Sequence, residues 1–87
     1  MAKVLMYSTA ACPFCVRAEQ FLARKGVSEI EKIRVDLQPE LRIAMMEKTS
    51  RRTVPQIYIN DEHVGGFDDL VELDKDGKLD DLLRIQS

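Results

Sequence analysis

The chain has 87 residues, 45% of them hydrophobic and 32% charged, with four glycines and three prolines; that is one small domain of ordinary folded composition, and it excludes a second domain, a fibrous repeat and a disordered chain. A net charge of −2 rules against general nucleic-acid binding. The charge is uneven, ten basic against six acidic residues in 1–60 and three against nine in 61–87, which either steers a charged ligand or partner or is plain solvated surface.

In chain order, Lys3 precedes an unbroken apolar run, Val4 to Tyr7, which fits a strand buried on both faces. Cys12 then precedes Pro13, and proline suits the first position of a helix because its missing N–H has no partner there. The helix predicted from Pro13 carries Cys15, Ala18, Phe21 and Leu22 on one face, with Arg17, Glu19, Gln20 and Arg24 pointing elsewhere. Arg24 and Lys25 suit its negative end and Gly26 supplies a left-handed stop. From Glu31 to Leu37 the pattern alternates, Ile33, Val35 and Leu37 against Lys32, Arg34 and Asp36, predicting a half-buried strand. Pro39 opens a second helix with Leu41, Ala44, Met45 and Lys48 on a shared face and Thr49 to Arg52 as its exit loop. Met45 and Met46 read as gap-filling core.

After Pro55, Ile57 to Ile59 form a strand, Asn60-Asp61 a turn and His63-Val64 the returning strand, a spacing that demands an antiparallel hairpin. His63 itself reads as a surface histidine in a turn. Gly65-Gly66 breaks the chain, Asp68 or Asp69 caps a third helix through Leu73, and Asp76-Gly77 separates it from a last amphipathic stretch, Leu79, Leu82, Leu83 and Ile85. The order is β-α-β-α-β-β-α, one α/β domain over 1–87. Helices joining the early strands predict right-handed parallel crossovers, and the hairpin adds an antiparallel edge, giving a four-stranded mixed sheet flanked by helices on both faces. Open sheets of this kind carry their active groups beyond the carboxyl ends of the strands, where Cys12 sits.

Cys12 and Cys15 are the only cysteines. A bridge between them closes too short a loop to stabilise the fold much, so redox or metal chemistry is the expected use. A structural zinc site needs four ligands, and with His63 as the single histidine the shell stays short by at least one; no metal is expected. At the position preceding the helix, the Cys12 sulfur is placed to accept the N–H groups of Phe14 and Cys15, and the positive end of the helix favours an anion there. Both effects lower a thiol pKa from about 8.5 into a range of roughly 3.5 to 7.5. Cys12 is therefore the expected nucleophile and Cys15, one turn inside, the resolving thiol. No run approaches the roughly 18 apolar residues of a membrane helix, and the N-terminal apolar stretch is shorter than the roughly 7 to 15 residues of a signal core; the expectation is a cytoplasmic protein that does not engage a membrane.

Cys12-Pro13-Phe14-Cys15 at a strand-to-helix junction, Thr53-Val54-Pro55 before the third strand and Gly65-Gly66-Phe67-Asp68-Asp69 before the third helix together resemble the glutaredoxins, the small bacterial dithiol (glutaredoxin 3-like) type above all, from Lys3 to about Leu83. The resemblance implies a thioredoxin-like fold, a monomer, and glutathione as co-substrate with no bound cofactor; the partners are glutathione and disulfide-bearing or glutathionylated proteins. It implies that Thr53, Val54 and Pro55 carry the cysteinyl part of glutathione, Val54 through its backbone and Pro55 as a cis residue. Gly66, Phe67 and Asp68 take the γ-glutamyl end, the carboxylate on backbone N–H groups and the ammonium on Asp68. Many relatives have a lysine three residues before the first cysteine, where this chain has Thr9; Arg42, at a family position of glutamine or arginine, is the implied partner of the glycine carboxylate, with Arg51 and Arg52 adding charge. Phe14 stands where tyrosine is more frequent and covers the site. Two alternatives remain: an iron-sulfur cluster or metal carrier bridging two chains through Cys12, against which Pro13 argues because cluster holders of the family usually have glycine or serine there, and a thioredoxin-like reductant, against which the absence of tryptophan argues.

Overall fold

The computed structural model describes residues 3–84, so the predicted place of Ile85 lies outside the described residues. Chain order is β1 (Val4–Ser8), α1 (Pro13–Arg24), β2 (Glu31–Arg34), α2 (Pro39–Thr49), β3 (Gln56–Ile59), β4 (Glu62–Gly65), α3 (Phe67–Lys75) and α4 (Lys78–Arg84). The final helix is broken, as Asp76-Gly77 predicts, with Gly77 at φ 75°. None of the helices among the described residues is long and apolar enough to cross a membrane.

The sheet order is β2-β1-β3-β4, and the apolar run of β1 becomes a central strand with a cluster on each face. On one face Val4 and Met6, with Ile57 and Ile59 of β3, pack against Cys15, Ala18 and Leu22 of α1, Leu70 of α3 and Leu79 of α4. On the other, Tyr7 and Tyr58 meet Val35 and Met45 of α2. Alternation along β1 and β3 thus sorts side chains between two cores. Asn60 and Asp61 turn the hairpin with both residues at positive φ, 53° and 68°, the geometry that matches the twist of paired strands.

Three sequence expectations are corrected. Only the first crossover is parallel: β2 runs parallel to β1, whereas β3 runs antiparallel to it. The connection through α2 therefore leaves and re-enters the sheet at the same edge, and β3 begins with Gln56 opposite Tyr7. That reversal carries Val54 and Pro55 to the edge where Cys12 stands. The second strand stops at Arg34, because Asp36 turns back to pair with Arg34 and with the amide of Ala10; Val35 is buried but Leu37 is exposed. On α2 the inward residues are Leu41, Met45, Met46 and Thr49, while Ala44 and Lys48 are exposed. Apolar residues surround that helix, Ile43 included, so their spacing selects no single stripe.

Candidate active site

Cys12 ends the loop after β1 in an extended conformation, φ −134° and ψ 93°, and caps α1, with Pro13 in the first helical turn. Its sulfur accepts the N–H of Cys15 at 3.1 Å. The sequence suggested a second donor, Phe14; the sulfur lies instead over Cys15, to which it is joined in a disulfide with a Cα–Cα separation of 5.2 Å. The structure is therefore that of the oxidised pair. Both cysteines are buried, at 8% and 4% exposure, at one end of the larger apolar cluster. Around them Ala10, Ala11, Pro13, Phe14 and Val16 form an exposed apolar rim. Phe14 leans toward Phe67 at 6.5 Å between ring centres and carries the guanidinium of Arg17 5.3 Å above its ring.

The loop that delivers Cys12 is pinned from β2. Asp36 takes a two-pronged contact from Arg34, 2.7 and 2.6 Å, and accepts the N–H of Ala10 at 3.2 Å. The Arg34 guanidinium, with that amide assisting, holds the Asp36 carboxyl far below the usual carboxylate range. Read as one outward-facing residue of a strand, Asp36 gave no sign of this role in the sequence. On that side of the sulfurs a recess of about 200 Å³ is lined by Thr9, Lys32 and Arg34 among others, and both of its cations are already paired, Lys32 with Glu19 at 2.5 Å and Arg34 with Asp36.

On the opposite side lies a groove of about 360 Å³. It is lined by Phe14, by Thr53, Val54 and Pro55 before β3, by Gly66, Phe67 and Asp68 at the start of α3, and by Arg51 and Asp69. The Val54-Pro55 bond is cis, and the Cys12 sulfur sits 3.8 Å from the Val54 carbonyl oxygen. A wider depression of about 780 Å³ runs between α1 and residues 27–32; neither it nor the smaller groove is lined by a cysteine, and the smaller groove is tied to the chemistry through Val54, whose carbonyl oxygen lies 3.8 Å from the Cys12 sulfur.

Of the residues expected at the site, the fold brings Cys12, Cys15, Pro13, Phe14, Thr53, Val54, Pro55, Gly66, Phe67 and Asp68 together. Arg42 stands apart from the groove lining, its Nη1 donating to the Arg52 carbonyl at 3.3 Å. Of the two capping candidates at the start of α3, Asp69 is the one used. Gly66 is the residue that precedes the helix, and Asp69 reaches back to accept its N–H at 2.9 Å while taking Arg51 at 2.6 Å. Asp69 thus caps the helix and Asp68 stays exposed at the groove. Arg51 first, then the Gly66 amide, lowers the Asp69 carboxyl below its ordinary value.

One further residue escaped the sequence reading, together with its partner contact to His63. Gln56 is fully buried, bonded to the Thr53 carbonyl at 3.0 Å and facing His63 Nε2 at 2.8 Å. His63 is exposed and belongs to β4, the expected returning strand; it lies 5.0 Å from the Tyr58 ring centre and has its pKa lowered by burial and then by Arg51, against an opposing pull from Asp69. A lone glutamine opening an apolar strand was the available signal for Gln56; pairing it with His63 needed the hairpin register.

Comparison with known proteins agrees with this geometry. The glutaredoxin family model matches residues 4–64. The chain is 52% identical over 83 residues to a glutaredoxin of Pseudomonas aeruginosa, covering 95% of this chain and 98% of that one. It is 44% identical over 84 residues to glutaredoxin 3 of Escherichia coli, covering 97% and 100%. Among solved structures it resembles a buckwheat glutaredoxin-glutathione complex with a TM-score of 0.86 at 28% identity, over 94% of this chain and 76% of that one.

Proposed function

The chain belongs to the glutaredoxin family and is a thiol-disulfide oxidoreductase of thioredoxin-like fold, and from that premise we propose that it draws its electrons from glutathione and reduces both protein disulfides and glutathione mixed disulfides through Cys12 and Cys15. The observation that carries this reading is the Cys12 sulfur capping α1 and standing 3.8 Å from the Val54 carbonyl at the mouth of the groove. The buckwheat relative solved with glutathione supports the choice of ligand.

In the reduced enzyme the N-terminus of α1 favours the Cys12 thiolate over the thiol. That thiolate attacks the glutathione sulfur of a mixed disulfide; a Cys12-glutathione bond forms, the old sulfur-sulfur bond breaks, and the substrate leaves as a thiolate that takes a proton from water. A second glutathione thiolate attacks the bound glutathione sulfur, giving glutathione disulfide and restoring Cys12. With a protein disulfide, Cys12 forms the mixed disulfide, and Cys15 loses its proton and attacks the Cys12 sulfur. The second substrate thiol leaves, and the Cys12-Cys15 bridge remains for two glutathiones to reopen.

Glutathione lies with its cysteinyl backbone along Val54 beside Thr53 and Pro55, its γ-glutamyl carboxylate on the N–H groups of Phe67 and Asp68 next to Gly66, and its ammonium on the Asp68 carboxylate. Helix α3 begins there, and a helix start attracts anions. Arg42 takes the glycine carboxylate, since one of its five N–H donors is engaged with Arg52 and the others are left to the ligand. The test is turnover of a small glutathione mixed disulfide with glutathione as sole reductant. Cys12→Ser is expected to abolish it, while Cys15→Ser keeps it and loses reduction of protein disulfides. Retained turnover in Cys12→Ser, or its loss in Cys15→Ser, refutes these roles.

A further inference from the structure

Gln56 is the one polar side chain with no exposed surface among the described residues, and a buried primary amide is costly unless its polar atoms are met. Here they are. Its Nε2 lies 3.0 Å from the Thr53 carbonyl and 3.4 Å from the Thr53 hydroxyl, and its Oε1 lies 2.8 Å from His63 Nε2. The orientation follows from the partners: the Thr53 carbonyl only accepts, so the NH₂ faces it, and Oε1 then needs a donor, which assigns the His63 proton to Nε2.

The loop before β3 is held at two neighbouring residues as well. Thr49 Oγ1 accepts the N–H of Arg51 at 3.1 Å, and Arg42 donates to the Arg52 carbonyl at 3.3 Å. Residues 51 to 53 are each anchored by a side chain, and Val54 follows. Among the described residues, the N–H and carbonyl of Val54 take part in no backbone hydrogen bond.

We infer that Gln56 is a positioning residue for the substrate groove: its hydrogen bond to the Thr53 carbonyl sets the direction of the Val54 N–H. The reason is covalent. Thr53 C=O and Val54 N–H belong to one planar trans peptide and point in opposite directions, so drawing the carbonyl inward onto Gln56 turns the amide outward. This role rests on the proposed pairing of glutathione with the Val54 backbone.

The test measures KM and kcat for the mixed disulfide of glutathione with mercaptoethanol. Gln56→Met keeps side-chain length and removes all three of these contacts; it is expected to raise KM about fivefold, what one net hydrogen bond is worth. Because the contacts of the sulfur with α1 are untouched, kcat and the pH profile of Cys12 alkylation stay within twofold of wild type. His63→Phe, on an exposed position, removes only the donor to Oε1 and is expected to raise KM about twofold. Wild-type KM in both variants overturns the inference, as does a kcat or alkylation profile displaced beyond twofold in Gln56→Met. Should Gln56→Met not fold, His63→Phe alone decides, its KM rising or not. Amide spectra of the wild-type protein with S-methylglutathione separate the two levels. An unmoved Val54 amide sinks the glutathione pose and this role with it; a shifted amide with wild-type KM in both variants sinks the role of Gln56 alone.

Discussion

Two aspartates do parallel work in the segments that frame the site. Asp36 ties the Ala10 amide to Arg34, and Asp69 ties the Gly66 amide to Arg51. In each case an arginine holds the carboxyl below its ordinary value, so the unfolded chain binds the proton more readily. Their contribution to stability is present above about pH 4 and is lost as pH falls toward the lower folded value. The double variant Asp36→Asn, Asp69→Asn is expected to flatten the fall of the urea midpoint below pH 4, by a modest amount because all four side chains are near a third exposed or more. Gly65 faces the same bridge. It sits at φ 115°, and an added Cβ there meets the Asp69 carboxylate and comes within 2.9 Å of Arg51, so Gly65→Ala is expected to cost about 1 to 3 kcal/mol of unfolding free energy in a urea titration. The cysteines were legible at this scale because their spacing and Pro13 are local signals. Asp36 and Gln56 were not, since their partners lie 26 residues away at Ala10 and 7 away at His63.

Among the elements, α1 was readable end to end: proline at its start, a three-and-four stripe along its length, glycine after its end. Its cap and its chemistry share one atom, the Cys12 sulfur. Helix α2 defeated the same reading, because five of its eleven residues are apolar and surround it, Leu41, Ile43, Ala44, Met45 and Met46. Paired substitutions check the correction. Met45→Ala, fully buried, is expected to cost about 2 to 5 kcal/mol in urea unfolding, whereas Ala44→Gln, exposed on the same helix, changes stability by less than about 0.5 kcal/mol. Leu22→Ala in α1 falls in the first class, being fully buried in the larger cluster.

For the whole molecule, alternation and turn residues disclosed four strands and the order of the elements. They misled on the direction of β3, for which a parallel crossover was expected, because nothing in the α2 segment states whether the chain crosses the sheet or returns to the edge it left. The two apolar clusters share β1 and β3 as a common wall. Losing either face exposes the other, so urea unfolding followed by tyrosine fluorescence, which reports the Tyr7 and Tyr58 face, and by helix ellipticity is expected to give one coincident midpoint. Separate midpoints would show that the faces melt independently.

The opposed directions of β1 and β3 also bind correctness of folding to reactivity. Met6 stands across from Ile57, and the smallest slip that keeps every side chain on its own face is two residues, a displacement of about 6 to 7 Å. Such a slip drags the thiol loop and the proline segment past each other, since one trails its strand and the other leads into its own. A mispaired sheet therefore parts the sulfur from the Val54 carbonyl it stands beside, and a chain that has found its burial partners has, by that act alone, assembled the two halves of its site.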